Sequence, residues 1–322
     1  MATSATSETP AELLAPAPAV PSLLSDYATL FKVRISTMVI ITAAAGYYLG
    51  CLRSGISPFH LGMVESLVGI AIVTCGSSAL NQALERHSDT FMRRTANRPM
   101  AAGRIGLAHG LLLGFAATFF GALILAYVSN PLTGTLTLLT AVGYVAIYTP
   151  LKRISSINTF IGAFPGALPP LIGWTAARGV IEWPGIALFA ILFVWQFPHF
   201  MAIGWMYRED YARASIRLTA TQEPREKAAR RTVVQALIYA VVMVPVSLWP
   251  VALGTAGYLY GGVATVLSLG YLWYTIRFAA ILRDPTPKAS RAHAHALLRA
   301  SIIYLPLLLA AMMLDAKGRL LF

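Results

Sequence analysis

Charge is scarce in this chain. Its 322 residues include 13 Asp and Glu, and charged residues of both signs make up 12%. Set against 57% hydrophobic residues and a mean hydropathy of +0.65, so little charge excludes a soluble globular protein. Cysteine is nearly absent too. Cys51 and Cys75 show no CxxC pair and no histidine at zinc-ligand spacing, so they read as core residues rather than a metal or redox site. The first 25 residues hold no Lys or Arg and no continuous apolar run, so a secretory signal is not expected there. Rich in Ala, Pro, Ser and Thr, residues 1–27 read as a disordered tail ahead of one transmembrane domain over 28–322.

A net charge of +12 and a pI near 10 raise the question of nucleic acid. The basic residues, however, sit in short loops between apolar runs, which is the topology signal of a membrane protein, and no nucleic-acid partner is expected. About 20 apolar residues cross a hydrocarbon core. Nine such spans are expected, at 29–50, 60–82, 107–128, 132–150, 157–177, 184–206, 232–253, 256–276 and 297–316. The fold class is therefore all-α, a polytopic bundle of about nine transmembrane helices. The start of the chain and the loops after spans two, four, six and eight hold 2, 5, 2, 7 and 5 Lys and Arg, which is 21 of the 25 in the chain. The positive-inside rule makes that side cytoplasmic, with the N-terminus inside and the C-terminus outside.

The loop after span two carries the densest chemistry. Asn81, Glu85 and Asp89 stand four apart, so on a helix leaving the membrane they share one face. Two carboxylates and an amide suit a hard cation such as Mg²⁺, which prefers oxygen ligands. Arg93, Arg94, Arg98 and Arg104 follow, fixed positive charges suited to phosphate oxygens. Acids for a metal beside arginines for phosphate, at a membrane surface, suggest an enzyme handling a lipid diphosphate at the cytoplasmic face.

Other positions admit two readings each. After span six, Glu209 and Asp210 stand beside Arg208, Tyr211 and Arg213. They are ordinary juxtamembrane sequence alone, and a second half of a metal and diphosphate site if the two loops meet. Lys152 and Arg153 after span four either set topology or contact phosphate. Lys32 and Arg34 can snorkel from the first span. His199 lies inside span six next to Pro198, where polar groups are costly; it is either a packing residue or a contact for a flat conjugated substrate. Gly162 to Trp174, rich in small residues and proline, is expected to break span five and line a pocket. A secondary transporter would instead bury ionisable groups near the bilayer centre in two related halves, a pattern not seen here.

The pattern Asn81-x3-Glu85-x3-Asp89 with Arg94, Arg98-Pro99 and Gly103-Arg104 resembles the first acidic motif of the UbiA superfamily of intramembrane prenyltransferases. Further motifs in the same order carry the resemblance from about Leu30 to Asp315, and they are similar to its heme-farnesylating branch. They are Tyr148-Thr149-Pro150-Leu151-Lys152-Arg153, the run ending at Trp174, Pro198-His199-Phe200, Asp210-Tyr211-Ala212-Arg213-Ala214 and Ser301-Ile302-Ile303-Tyr304-Leu305. The chain departs from the family in carrying Glu85 where Asp is usual, Val33 for a proline, and Ser215-Ile216-Arg217 for Gly-Ile-Pro.

The resemblance implies transfer of a farnesyl group from farnesyl diphosphate to a vinyl group of heme B, giving heme O, in the inner membrane of the cell. Heme B is then a substrate and Mg²⁺ the cofactor, with Asn81, Glu85, Asp89, Glu209 and Asp210 as metal ligands. Arg93, Arg94, Arg98, Lys152, Arg153, Lys32, Arg34, Tyr211, Arg213 and His199 are the implied substrate contacts, and membrane lipid surrounds the bundle. A heme A synthase or a terminal oxidase would receive the product. Within the same superfamily, a quinone precursor or a chlorin is the alternative acceptor.

Overall fold

Long apolar stretches set the architecture, because backbone groups in lipid must be satisfied within a helix. A computed structural model describes residues 21–222, 224–283 and 287–316. Among these, nine helices are long and apolar enough to cross a membrane. They are α2 (Val33–Ser54), α3 (Leu61–Asp89), α4 (Leu107–Val128), the combined span Pro131–Leu151, α7 (Asn158–Arg178), α8 (Trp183–Met206), α10 (Arg225–Ala252), α11 (Tyr258–Phe278) and α12 (Pro287–Leu314). The combined span consists of α5 (Pro131–Val142), a π-helical turn (Gly143–Tyr148) and a last turn α6 (Thr149–Leu151). Two short helices, α1 (Leu23–Leu30) and α9 (Arg208–Arg213), lie outside the spans.

The helices outrun several of the expected spans. Hydropathy marks where a helix crosses hydrocarbon, but nothing stops it from continuing into the interface. So α3 runs on to Asp89, α10 begins at Arg225 and α12 at Pro287. With 29 residues at 1.5 Å each, α3 is about 43 Å long, well beyond a 30 Å hydrocarbon core. The first span starts later than expected, because Lys32 adopts a left-handed conformation (φ 49°) that ends α1 and begins α2. Most of the expected disordered tail, residues 1–20, lies outside the described residues, and its last part is helical from Leu23.

Span five is not broken. α7 continues through Pro165, Pro169 and Pro170; of the expected pocket wall Gly162 does line a cavity, while Gly173 serves helix packing. A Cβ on Gly46 of α2 would sit 1.9 Å from the Pro170 carbonyl oxygen, and one on Gly173 would sit 1.9 Å from that of Ala43. The two backbones thus cross in direct contact, as small residues permit between membrane helices. On the other side of the bundle, hydroxyls tie α10, α11 and α12 together. Ser268 meets Ser247 at 2.9 Å and Tyr304 at 3.0 Å, and Tyr260 donates to the Ser247 carbonyl at 2.6 Å. Outward faces stay apolar, as on α4 with Leu112, Phe115, Phe119 and Phe120 exposed. The chain is a multi-pass membrane protein.

Candidate active site

The last turns of α3 carry Asn81, Glu85 and Asp89, and side chains from other parts of the chain converge on them. Glu85 and Asp89 line a cavity of about 240 Å³ with Lys32, Arg94, Arg98, Tyr148 and Lys152. Its remaining wall includes Asn158, Thr159 and Gly162 of α7 and Phe200, Met201 and Gly204 of α8.

Every acid in the cavity meets a cation. Arg98 donates to both carboxylate oxygens of Asp89, at 2.9 and 2.8 Å, and stands 3.7 Å from Glu85. Lys152 donates to Glu85 at 2.5 Å. Lys32 donates to the side-chain oxygen of Asn81 and, at 3.1 Å, to Tyr144. Burial pushes the Lys32 ammonium down to about 7, opposed by the charge of Glu85. Lys152 is also desolvated, yet Tyr148, Glu85 and Tyr144 together hold its ammonium above the ordinary lysine range.

The π-helical turn shapes this arrangement. It presents Tyr144 and Tyr148 as a stacked pair with centroids 5.7 Å apart, one ring beneath Lys32 (5.7 Å) and the other beneath Lys152 (4.4 Å). Widened turns of this kind recur at functional sites. Asn81 donates to Thr149 at 2.9 Å, tying α3 to the end of the same span. Neither tyrosine is among the contacts expected above, although their four-residue spacing ahead of Lys152 is readable in the sequence.

The loop after span six does meet the first, but not through its acids. Met92 packs with Ala214, Ile216, Tyr211 and Leu218, closing one end of the cavity. Arg94 donates to the Tyr211 hydroxyl at 3.2 Å and stacks on the rings of Tyr207 and Tyr211. The Arg217 backbone N–H donates to the Lys152 carbonyl at 2.8 Å, and Asn158 donates to the Arg217 carbonyl at 2.6 Å. Glu209 and Asp210 instead line a neighbouring depression with Arg93, Arg213, Tyr207 and Arg291, where Arg213 pairs with Asp210. The reason is local: on the single turn α9, Tyr211 faces the cavity and the acid beside it faces away.

The other expected contacts scatter. Arg153 lines a shallow depression on the far side of Glu85, and Arg34 is exposed on α2. Arg104 turns away from the cavity to Asp26. His199 faces α12, with Nδ1 2.7 Å from the Ser301 hydroxyl and its ring stacked on Trp195 at 4.9 Å; its neighbour Phe200 is the one lining the cavity.

No group of three or more His, Cys, Asp or Glu is poised around a metal among the described residues. The donor set nonetheless fits a hard cation. Glu85 and Asp89 lie one turn apart on one wall, Asn81 one turn behind, and the three side chains are now held by Lys152, Arg98 and Lys32, cations suited to phosphate.

Comparison with known proteins places the chain clearly. The model of the UbiA prenyltransferase family matches residues 39–302. A protoheme IX farnesyltransferase of Koribacter versatilis (strain Ellin345) is 44% identical over 303 residues, covering 94% of this chain and 97% of that protein. Another, from Anaeromyxobacter sp. (strain Fw109-5), is 40% identical, covering 91% and 94%. Among solved structures, that of a digeranylgeranylglyceryl phosphate synthase superposes with a TM-score of 0.73 at 16% identity, covering 91% of this chain and 98% of that one. A UbiA homolog from Archaeoglobus fulgidus bound to GPP and Mg²⁺ does so with 0.57 at 15%, covering 89% and 99%. These two likenesses concern the fold.

Proposed function

The chain belongs to the UbiA prenyltransferase family, and from that premise we propose that it is a protoheme IX farnesyltransferase, moving a farnesyl group from farnesyl diphosphate to a vinyl group of heme B. The observation that carries this reading is end-to-end identity of 44% with a farnesyltransferase of that name, joined to a cavity in which carboxylates and phosphate-binding cations alternate.

Asn81, Glu85 and Asp89 would hold Mg²⁺, which supplies positive charge to the diphosphate as the allylic C–O bond ionises. The A. fulgidus homolog with GPP and Mg²⁺ supports this choice of metal. As substrate binds, Arg98 and Lys152 pass from the carboxylates, and Lys32 from the Asn81 amide oxygen, to the phosphate oxygens, and Arg94 joins them from its tyrosine stack. Charge that balances the acids in the empty cavity then balances the leaving group. The terminal vinyl carbon attacks C1 of the farnesyl cation. Water adds to the adjacent carbon, a proton is lost, and diphosphate leaves.

Asp210, Glu209, Arg93 and Arg213 form an outer ring that reaches the diphosphate only if α9 turns, and Arg153 and Arg34 stand further off at the membrane surface. On α8, His199 is turned toward α12 with Nδ1 held by Ser301, so it would meet a porphyrin only from that side. The cavity opens to the cytoplasm across an inner cell membrane, and the product passes to heme A synthase or a terminal oxidase. Heme extracted from a bacterial host lacking heme O tests the reaction. Expression of this chain is expected to add a species heavier by a farnesyl and a hydroxyl group, and a prenylated quinone precursor or chlorin without heme O would overturn the choice of acceptor.

A further inference from the structure

Arg104 belongs by sequence to the basic run after α3, yet its guanidinium grips Asp26 of α1. Nε and Nη2 reach the two carboxylate oxygens at 2.9 and 2.8 Å, and Nη2 also donates to the Asn97 carbonyl at 2.8 Å. Hydrogen bonds from Arg104, and then its charge, hold the Asp26 carboxyl below the usual carboxylate range. We propose that α1 is a strap that sets the backbone of Lys32, and that Asp26, Arg104 and Gln82 are positioning residues for diphosphate binding through it. The proposal rests on the reading of Lys32 as a phosphate contact.

Two non-glycine residues have positive φ among those described, and Lys32 is one of them. Side-chain-bearing residues hold that conformation when their surroundings impose it, and such positions cluster at functional sites. Here the imposition comes from both sides of the turn. Gln82 Nε2 donates to the Thr29 carbonyl at 2.6 Å and the Leu30 carbonyl at 3.2 Å, taking up acceptors freed where α1 ends. Ser36 donates to the Phe31 carbonyl at 2.7 Å. Leu30, with no exposed surface, packs among Ala79, Ala83, Met100 and Ile105.

Adjacent amides on α3 therefore divide the work. Asn81 receives the Lys32 ammonium, while Gln82 fixes the peptide groups before it. An eight-residue helix is too short to persist alone, so α1 depends on these contacts and on the Asp26–Arg104 pair. With its backbone fixed, the Lys32 ammonium can exchange Asn81 for phosphate without reordering the chain, which is preorganisation in the ordinary sense.

The test measures farnesyl diphosphate and heme B affinities separately on purified full-length protein. D26N and Q82M should each weaken farnesyl diphosphate binding by about tenfold, leave heme binding unchanged and keep the thermal midpoint close to wild type. The exchanged pair D26R/R104D should recover most of that loss. In a K32M background D26N should add nothing, because its effect runs through Lys32. Full, additive loss from D26N in K32M overturns the proposal, as does parallel loss of both ligands with a lowered midpoint, the mark of a merely structural strap. K32M weakening diphosphate binding while D26N and Q82M do not also overturns it. No effect of K32M itself removes the Lys32 assignment instead, a separate failure. If D26N cannot be recovered folded, Q82M poses the same question from the other clamp.

Discussion

Arg98 holds both carboxylate oxygens of Asp89 from one guanidinium nitrogen, at 2.9 and 2.8 Å, while standing 3.7 Å from Glu85. A buried carboxylate such as Asp89 without a partner would be costly, and the half-buried Arg98 supplies one. Each satisfies the other in the structure.

Asp89→Asn should lower diphosphate release by roughly a hundredfold or more while the protein still elutes as a folded species in detergent, since a neutral amide is a poor ligand for Mg²⁺. Near-wild-type turnover in that variant would remove Asp89 from the metal set. Glu85→Asp, which restores the residue usual in the family, should keep at least about a tenth of the activity. A total loss would mean the longer side chain, with its 2.5 Å contact to Lys152, is required.

Gly46→Ala and Gly173→Ala should each destabilise the bundle by about 1–3 kcal/mol or more, because the added carbon meets a backbone oxygen that cannot step aside. Gly270→Ala on α11 is the control: nothing lies within 4 Å of its added carbon, and it should be neutral or stabilising by up to about 1 kcal/mol. Thermal midpoints of the three variants decide it, and equal midpoints would contradict the close α2–α7 crossing.

These contrasts show what the sequence can and cannot carry. Nine apolar runs separated by basic loops state the spans outright, because hydrocarbon thickness and backbone satisfaction leave no other solution. The shared face of Glu85 and Asp89 follows from helix periodicity alone. What lay beyond reach are relations across the chain. Asp210 and Tyr211 are neighbours in sequence, yet they face different depressions. Arg104 reads as one more phosphate arginine until Asp26, 78 residues earlier, is seen beside it. The α1 helix is short and mildly apolar, so most of it reads as disordered tail and only its last residues as the start of the span that follows. The glycines of α7 announce close packing but not whether the neighbour is a cavity or another backbone.

Ser215 has φ 55°, at the position where the family carries glycine. The left-handed conformation costs a side-chain-bearing residue about 1–2 kcal/mol, and glycine gives back about half of that through its greater freedom when unfolded. Ser215→Gly should therefore raise stability by up to about 1 kcal/mol without changing turnover. A lowered thermal midpoint would contradict the turn geometry beside Tyr211.

Membrane orientation can be read with thiols. In a background lacking Cys51 and Cys75, a cysteine at exposed Thr90 should resist an impermeant reagent applied from outside, and one at exposed Ser57 should react. The opposite pattern would place the acidic cavity on the outer face.

The most direct measurement is made on the purified protein with heme B, farnesyl diphosphate and Mg²⁺, following diphosphate release and the mass of the porphyrin product together. One diphosphate should appear for each heme that gains a farnesyl and a hydroxyl group, and chelating the Mg²⁺ should stop both. Diphosphate released without heme O, or heme O formed at an undiminished rate after chelation, would contradict a metal-assisted farnesyl transfer in the Glu85–Asp89 cavity.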